Sequence, residues 1–194
     1  MKYEELRKKL SGCRVGIAGA GGLGSNCAQA LARCGVGTIV IADFDMVEET
    51  NLNRQFFFRD QVGMKKVDAL KTNLGKIGTG SVIVAHCITL NPENIPEVFN
   101  GCDVVVEAFD SAEMKMMLIE TITRKMPAIP VVAGSGLAGL GSNDTIKSRK
   151  VDDNLYIIGD ESMEVSDENP PLAPRVGIVA CMQANIVVEL LLKR

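Results

Sequence analysis

The segment Gly19-Ala20-Gly21-Gly22-Leu23-Gly24-Ser25 constrains this chain most, because it stands between an apolar strand pattern, Val15-Gly16-Ile17-Ala18, and a helical pattern over 26–34. A strand that turns at once into a helix needs glycine at the tight turn, where backbone approaches a ligand, and where helix meets strand. Gly19, Gly21 and Gly24 occupy those three places, with Gly22 beside them. The unpaired N–H groups of the following helix then favour an anion. The pattern predicts a phosphate-binding turn and leaves the nucleotide open.

Asp43-Phe44-Asp45 closes the next strand pattern, Thr38-Ile39-Val40-Ile41-Ala42. It lies about twenty residues past the glycines, where a carboxylate reaches ribose hydroxyls in such turns. Asp43 is the expected ribose ligand. Asp45, further into the loop, is a second candidate on the cofactor side, although the reading of a solvated acid at a strand end applies better to it than to Asp43. Up to this point an NAD-dependent oxidoreductase explains every feature.

At 194 residues the chain is long enough to bury one substantial core without disulfides or metals, and it is read as one domain over 1–194. Its net charge is -3, with no Trp and two Tyr, so neither a basic surface nor an aromatic stacking platform is evident and no direct nucleic-acid partner is expected. The opening MKYEELRKKL is polar and charged, unlike a signal peptide or anchor, and no apolar run is read as membrane-spanning. The six cysteines, Cys13, Cys27, Cys34, Cys87, Cys102 and Cys181, form no C-x-x-C pair. That spacing speaks against zinc and for reduced thiols in a cytoplasmic compartment, most of them packed as small hydrophobes. His86, the one histidine, ends a strand pattern and is read as a packed residue.

Strand-like runs at 15–18, 38–42, 82–85, 104–108 and 129–133 alternate with helical patterns at 65–77 and 112–126 and a short capped one at 91–99. This rhythm predicts an α/β fold, a Rossmann-like doubly wound and mostly parallel sheet whose ligand lies beyond the carboxyl ends of the strands. Residues 11–133 form the nucleotide-binding βαβ part. Over 134–194 a glycine-rich stretch (134–141) leads to two short strands (145–149 and 155–158) expected as antiparallel edge strands. A polar loop (159–171) then precedes a largely apolar helix over 174–192, which is expected to bury itself on the sheet or at a subunit interface.

Arginine, lysine and one more carboxylate separate the candidate nucleotides. Asn51-Leu52-Asn53-Arg54-Gln55, then Gly63-Met64-Lys65-Lys66, and later Asp110 directly after the fourth strand, are surplus to hydride transfer. Phosphoryl and nucleotidyl transfer needs such cations against phosphate charge, and a carboxylate at the ligand edge suits a magnesium ion shared with phosphates. ATP with Mg2+ is the reading these residues favour.

In that order and spacing, the glycine turn, Asp43-Phe-Asp45, Asn51-Leu-Asn-Arg-Gln55, 63–66 and Asp110 resemble the ThiF/MoeB/HesA group, relatives of the ubiquitin-activating enzymes. The resemblance runs from Val15 to the C-terminal helix and is nearest to short ThiF-like proteins of thiamine biosynthesis. It implies that Asp43 binds ribose, that Asn51 and Arg54 contact phosphates, that Lys66 neutralises the phosphate chain and that Asp110 holds magnesium, with Arg54, Lys66 and Asp110 as the catalytic set. It also implies a homodimer that adenylates the C-terminal glycine carboxylate of a small ubiquitin-like sulfur carrier ending in Gly-Gly. Three departures stand beside it. The zinc-binding cysteine pairs are missing, and the arginine that reaches a partner subunit has only Arg7 or Arg14 as counterparts. No cysteine lies between Cys102 and Cys181 to form a covalent link, and Cys181 itself reads as a packed helix residue. An oxidoreductase, a non-catalytic carrier-binding scaffold, and adenylation of a peptide or tRNA-linked carboxylate are the competing readings.

Overall fold

The computed structural model describes residues 2–135, 140–160 and 168–194. The valine- and isoleucine-rich runs become β1 (Arg14–Ala18), β2 (Thr38–Ala42), β3 (Val82–His86), β4 (Val104–Glu107) and β5 (Val131–Ser135). Continuous apolar runs suit strands covered on both faces, and these five pair in parallel. A hairpin of β6 (Lys147–Asp152) and β7 (Leu155–Gly159) extends the sheet, β7 parallel to β5 and β6 antiparallel outside it. The order is β3-β2-β1-β4-β5-β7-β6. Every residue of β6 is exposed, and its charged sequence KSRKVD suits an edge that must not recruit further strands.

Alternate residues of each central strand feed two separate cores. Val15, Ile17, Ile39, Ile41, Val104 and Val106 pack with α1 (Tyr3–Leu10), α2 (Gly22–Cys34), α3 (Lys66–Gly75) and α6 (Ala173–Leu192). Val40, Val105 and Val131 pack on the other face with α4 (Ile95–Val98) and α5 (Ala112–Lys125). The result is a doubly wound three-layer arrangement. Its strand order reverses between β1 and β4, and that reversal opens a crevice at their carboxyl ends.

The structure departs from the sequence reading in three places. Helix α2 begins at Gly22, four residues before the expected start, so the glycines form its first turn. The expectation that no apolar run reaches membrane-spanning length fails for α6: by length and a mean hydropathy of 1.7 it would qualify, the one such helix among the described residues. One face of it, including Val179, Gln183 and Val187, is buried, and α6 serves as a core helix. Cys181 is solvent-exposed on the opposite side of α6, because its position in the helical repeat falls outside that face. The polar loop expected over 159–171 lies mostly at 161–167, and the centre of the glycine-rich stretch at 136–139; both fall outside the described residues.

Gly24 sets how closely α2 meets β1. A Cβ there would stand 1.9 Å from the Gly19 carbonyl oxygen, whereas one on Gly21 would meet nothing nearer than 3.9 Å. Gly24→Ala is therefore expected to destabilise the fold, at the upper end of the ~1–3 kcal/mol typical of overpacking. Gly21→Ala is expected to stay within about 1 kcal/mol of wild type. Urea denaturation of the two variants checks the contrast.

Candidate functional site

A cleft of about 870 Å³ lies at the carboxyl ends of β1, β2, β4 and β5. Gly19 takes φ +97, a conformation only glycine adopts without strain, and its N–H bonds the Ala42 carbonyl at 2.9 Å. The turn then passes through Gly21, the N-cap of α2, and brings Gly21 and Gly22 to the cleft wall. Gly24 does not line the cleft, and its place is the helix–strand contact.

Asp43 holds this turn in place. One carboxylate oxygen accepts the Ala20 N–H at 2.6 Å and the other the Asp45 N–H at 2.7 Å. A carboxylate has about four acceptor positions, so these two bonds leave capacity for ribose hydroxyls. Phe44 and Ile88, both exposed, add an apolar wall beside it.

Arg54 enters from the loop after β2. Two side chains of α2 fix that loop: the Ser25 hydroxyl accepts the Phe56 N–H at 3.0 Å, and the Asn26 amide donates to the carbonyls of Gly22 and Arg54. Asn51, expected at the phosphates, is not in the cleft wall. Its side-chain oxygen accepts the Glu48 N–H at 3.1 Å and its carbonyl accepts the N–H groups of Arg54 and Gln55. Asn51 thus shapes the turn that presents Arg54. Lys66 lines the cleft with its ammonium 2.7 Å from Asp45, and its side chain is only 8% exposed. Asp45 is accordingly the partner of Lys66 rather than a free loop acid.

Asp110 is exposed at the cleft wall after β4. Ser111 follows it and caps α5, its hydroxyl accepting the Met114 N–H at 3.3 Å. Among the described residues no cluster of three or more metal-ligating side chains exists. A lone carboxylate facing a phosphate cradle still fits magnesium, which takes one or two protein carboxylates and completes its shell with phosphates and water.

Sequence reasoning missed two charged pairs at this end of the sheet. Lys115 of α5 lines the cleft and bonds both the carboxylate of Glu107 and the Gly134 carbonyl, the latter at 2.6 Å. Burial pushes the Glu107 carboxyl up, against the opposing charge of Lys115 and the N–H groups of Phe109 and Gly134. The detectable signal was an acid ending the otherwise apolar run Val104-Val105-Val106-Glu107. The second pair, Arg175 with Asp160, is buried beside Val176 of the cleft wall, and Arg175 also bonds the Ser142 carbonyl at 3.2 Å. Arg7 and Arg14 lie at the amino ends of the strands, away from the cleft: Arg7 donates to the Thr79 carbonyl at 3.2 Å, and the Arg14 N–H bonds Asp103.

The sequence profile of the ThiF family matches residues 2–194. Similar curated proteins include the adenylyltransferase and sulfurtransferase MOCS3 of Caenorhabditis briggsae, 31% identical over 203 residues, covering 96% of this chain and 48% of that protein. The adenylyltransferase and sulfurtransferase UBA4 of Yarrowia lipolytica is 35% identical over 133 residues, covering 69% of this chain and 32% of its own length. The chain thus spans half or less of these relatives. Among solved structures, Escherichia coli tRNA N6-threonylcarbamoyladenosine dehydratase, TcdA, in complex with ATP superposes with a TM-score of 0.87 at 22% identity, covering 98% of this chain and 90% of that one. E. coli MccB with ATP gives 0.75 at 24% identity, covering 97% and 58%. At these identities the likeness is one of fold.

Arg175→Met removes the cation from the buried Arg175–Asp160 ion pair. Arg175→Met is expected to lower stability by about 3–5 kcal/mol, and the double change Arg175→Met with Asp160→Leu to recover most of it. Guanidinium unfolding of both variants measures the difference.

Proposed function

The chain belongs to the ThiF family, and on that premise we propose that it is an ATP-dependent adenylyltransferase acting on a protein C-terminal carboxylate. The observation that carries the reading is the convergence of a glycine cradle, two cations (Arg54 and Lys66) and a carboxylate (Asp110) on one cleft. An oxidoreductase leaves that charge set without work. In this reading the N-terminus of α2 takes the phosphates, Asp43 the ribose, and Phe44 with Ile88 the base.

A carboxylate oxygen of the substrate attacks the α-phosphorus; the new O–P bond forms as the bond to the bridging oxygen breaks, and pyrophosphate leaves with that electron pair. The nucleophile is already an anion, so no general base is required. Catalysis then consists of positioning and charge stabilisation. Lys66 has donors beyond its bond to Asp45, and Arg54 lines the same cleft with its guanidinium bonded to the Thr50 carbonyl and the Asn53 side chain at 3.2 and 2.8 Å. Magnesium, held by Asp110 and the phosphates, would supply further neutralisation of phosphate charge.

For the substrate we propose a small ubiquitin-like sulfur carrier with a Gly-Gly tail. The names of the MOCS3 and UBA4 relatives, which join adenylyl transfer to sulfur transfer, support that class. Thiamine biosynthesis is the pathway we propose, on the resemblance of the motifs to short ThiF-like proteins, and the six unpaired cysteines fit a cytoplasmic setting. A tRNA-linked carboxylate is the second reading, favoured by the match to TcdA over 90% of that chain.

Arg54→Ala and Lys66→Ala are each expected to reduce ATP–pyrophosphate exchange with a ThiS-like carrier about a hundredfold or more while the protein stays folded. Wild-type exchange in both variants would overturn these assignments. Calorimetry showing NAD bound and ATP not bound would overturn the adenylation reading itself.

We also propose a homodimer formed through the outer face of α6. Ile178, Met182, Ile186 and Leu190 recur there every fourth residue, half-buried, along a groove of about 640 Å³ shared with β6 and Tyr156. Light scattering at micromolar concentration is expected to give twice the chain mass and Ile186→Glu to give the monomer. A monomeric wild type would refute this interface.

A further inference from the structure

Between β4 and β5 the ladder ends at the pair Glu107 and Ala133. Asp110 stands three residues past that last rung, so something other than the sheet must hold it. The Glu107 side chain is wholly buried, and one of its oxygens accepts the Phe109 N–H at 2.7 Å, which fixes the backbone directly before Asp110. Its other oxygen bonds the ammonium of Lys115, which reaches on to the Gly134 carbonyl. From α6, the neutral amide of Gln183 bonds the carbonyls of Glu107 and Val132 at 3.0 and 3.2 Å. The loop carrying Asp110 is therefore clasped at both ends by α5, through the Ser111 cap before it and Lys115 one turn later.

Resting on the adenylation reading above, we propose that Lys115 is a positioning residue for the transfer step: its ammonium compensates the buried carboxylate of Glu107, and Glu107 in turn holds the loop that presents Asp110. A purely structural ion pair has no such consequence. Well-packed apolar groups can replace a buried pair with little loss of stability, but they cannot accept the Phe109 N–H.

That difference supplies the test, by ATP–pyrophosphate exchange with a ThiS-like carrier and thermal melting in parallel. The charge-free pair Glu107→Gln with Lys115→Met keeps an acceptor for Phe109, and its kcat is expected within about threefold of wild type, as is that of Lys115→Arg. The apolar pair Glu107→Leu with Lys115→Met is expected to fold, melting a few degrees below the first pair because the Phe109 N–H loses its acceptor, and to lose about tenfold or more in kcat, with KM for ATP changed less than about threefold. Equal kcat values in the two pairs would overturn the positioning role. Should the apolar pair not fold, Lys115→Gln is expected to lower kcat about tenfold, and a kcat within about twofold of wild type overturns the proposal in the same way. A wild-type chain that exchanges no pyrophosphate overturns the adenylation reading first and this proposal with it; loss in the apolar pair with the charge-free pair near wild type supports both.

Discussion

The contact between Gly24 and the Gly19 carbonyl carries the site, because it fixes how α2 leaves β1. With no side chain between them, the first turn of the helix lies against the strand end and its free N–H groups open into the crevice. The same closeness brings Ser25 and Asn26 within reach of the 54–56 backbone, which sits far along the sequence and has no strand to anchor it. Arg54 is thus positioned from α2, and Asp43 closes the arrangement from the other side by bonding Ala20. A single close approach organises the N-terminus of α2, the Asp43 carboxylate and Arg54 together.

Charge in the cleft is arranged in compensated pairs. Lys66 faces Asp45, Lys115 faces Glu107, and Arg175 faces Asp160 just behind the wall. A buried ammonium or carboxylate without a partner would be expensive, and pairing offsets that cost. The pairs differ in their exposure, and that difference assigns their work. Asp45 is about half exposed, so Lys66 can share its donors with an arriving anion, whereas Glu107 is fully enclosed and keeps Lys115 as part of the frame.

Much of the fold was legible because the parallel strands read as unbroken Val and Ile runs, each followed by a helical repeat or a turn. Much of the candidate site was legible as well, since Gly19, Gly21, Gly22, Asp43, Arg54, Lys66 and Asp110 converge on one cleft, while Gly24 serves the helix–strand contact. What escaped the sequence has identifiable causes. The start of α2 was missed because glycine is a poor helix former, and tertiary packing overrode that propensity. Cys181 was misplaced because nearly every neighbour in α6 is apolar, so the pattern could not say which face meets the sheet. Asn51 turned out to shape a turn instead of lining the wall, a distinction that depends on a bond to Glu48 only three residues away. Lys115 was invisible because its partner sits eight residues back on a different element, outside any local spacing rule.

The two halves of the cleft face different physical demands, and this bears on substrate. In the reading we propose, the β1 and β2 side takes a nucleotide of fixed shape, for which glycines and a carboxylate form a recognisable motif. On the β4 and β5 side the same reading puts the acyl partner, and the described lining there includes Met114, Lys115, Gly134, Ser135 and Pro171, residues with no shared chemistry. Fold likeness by itself assigns no acceptor, and the same architecture superposes on both TcdA and MccB. A protein tail entering this second half meets mostly small or apolar groups with the neutralised Lys115 at the base. That lining is the physical ground on which we propose a slender chain end such as a Gly-Gly terminus, and not a polyanion, as the acceptor.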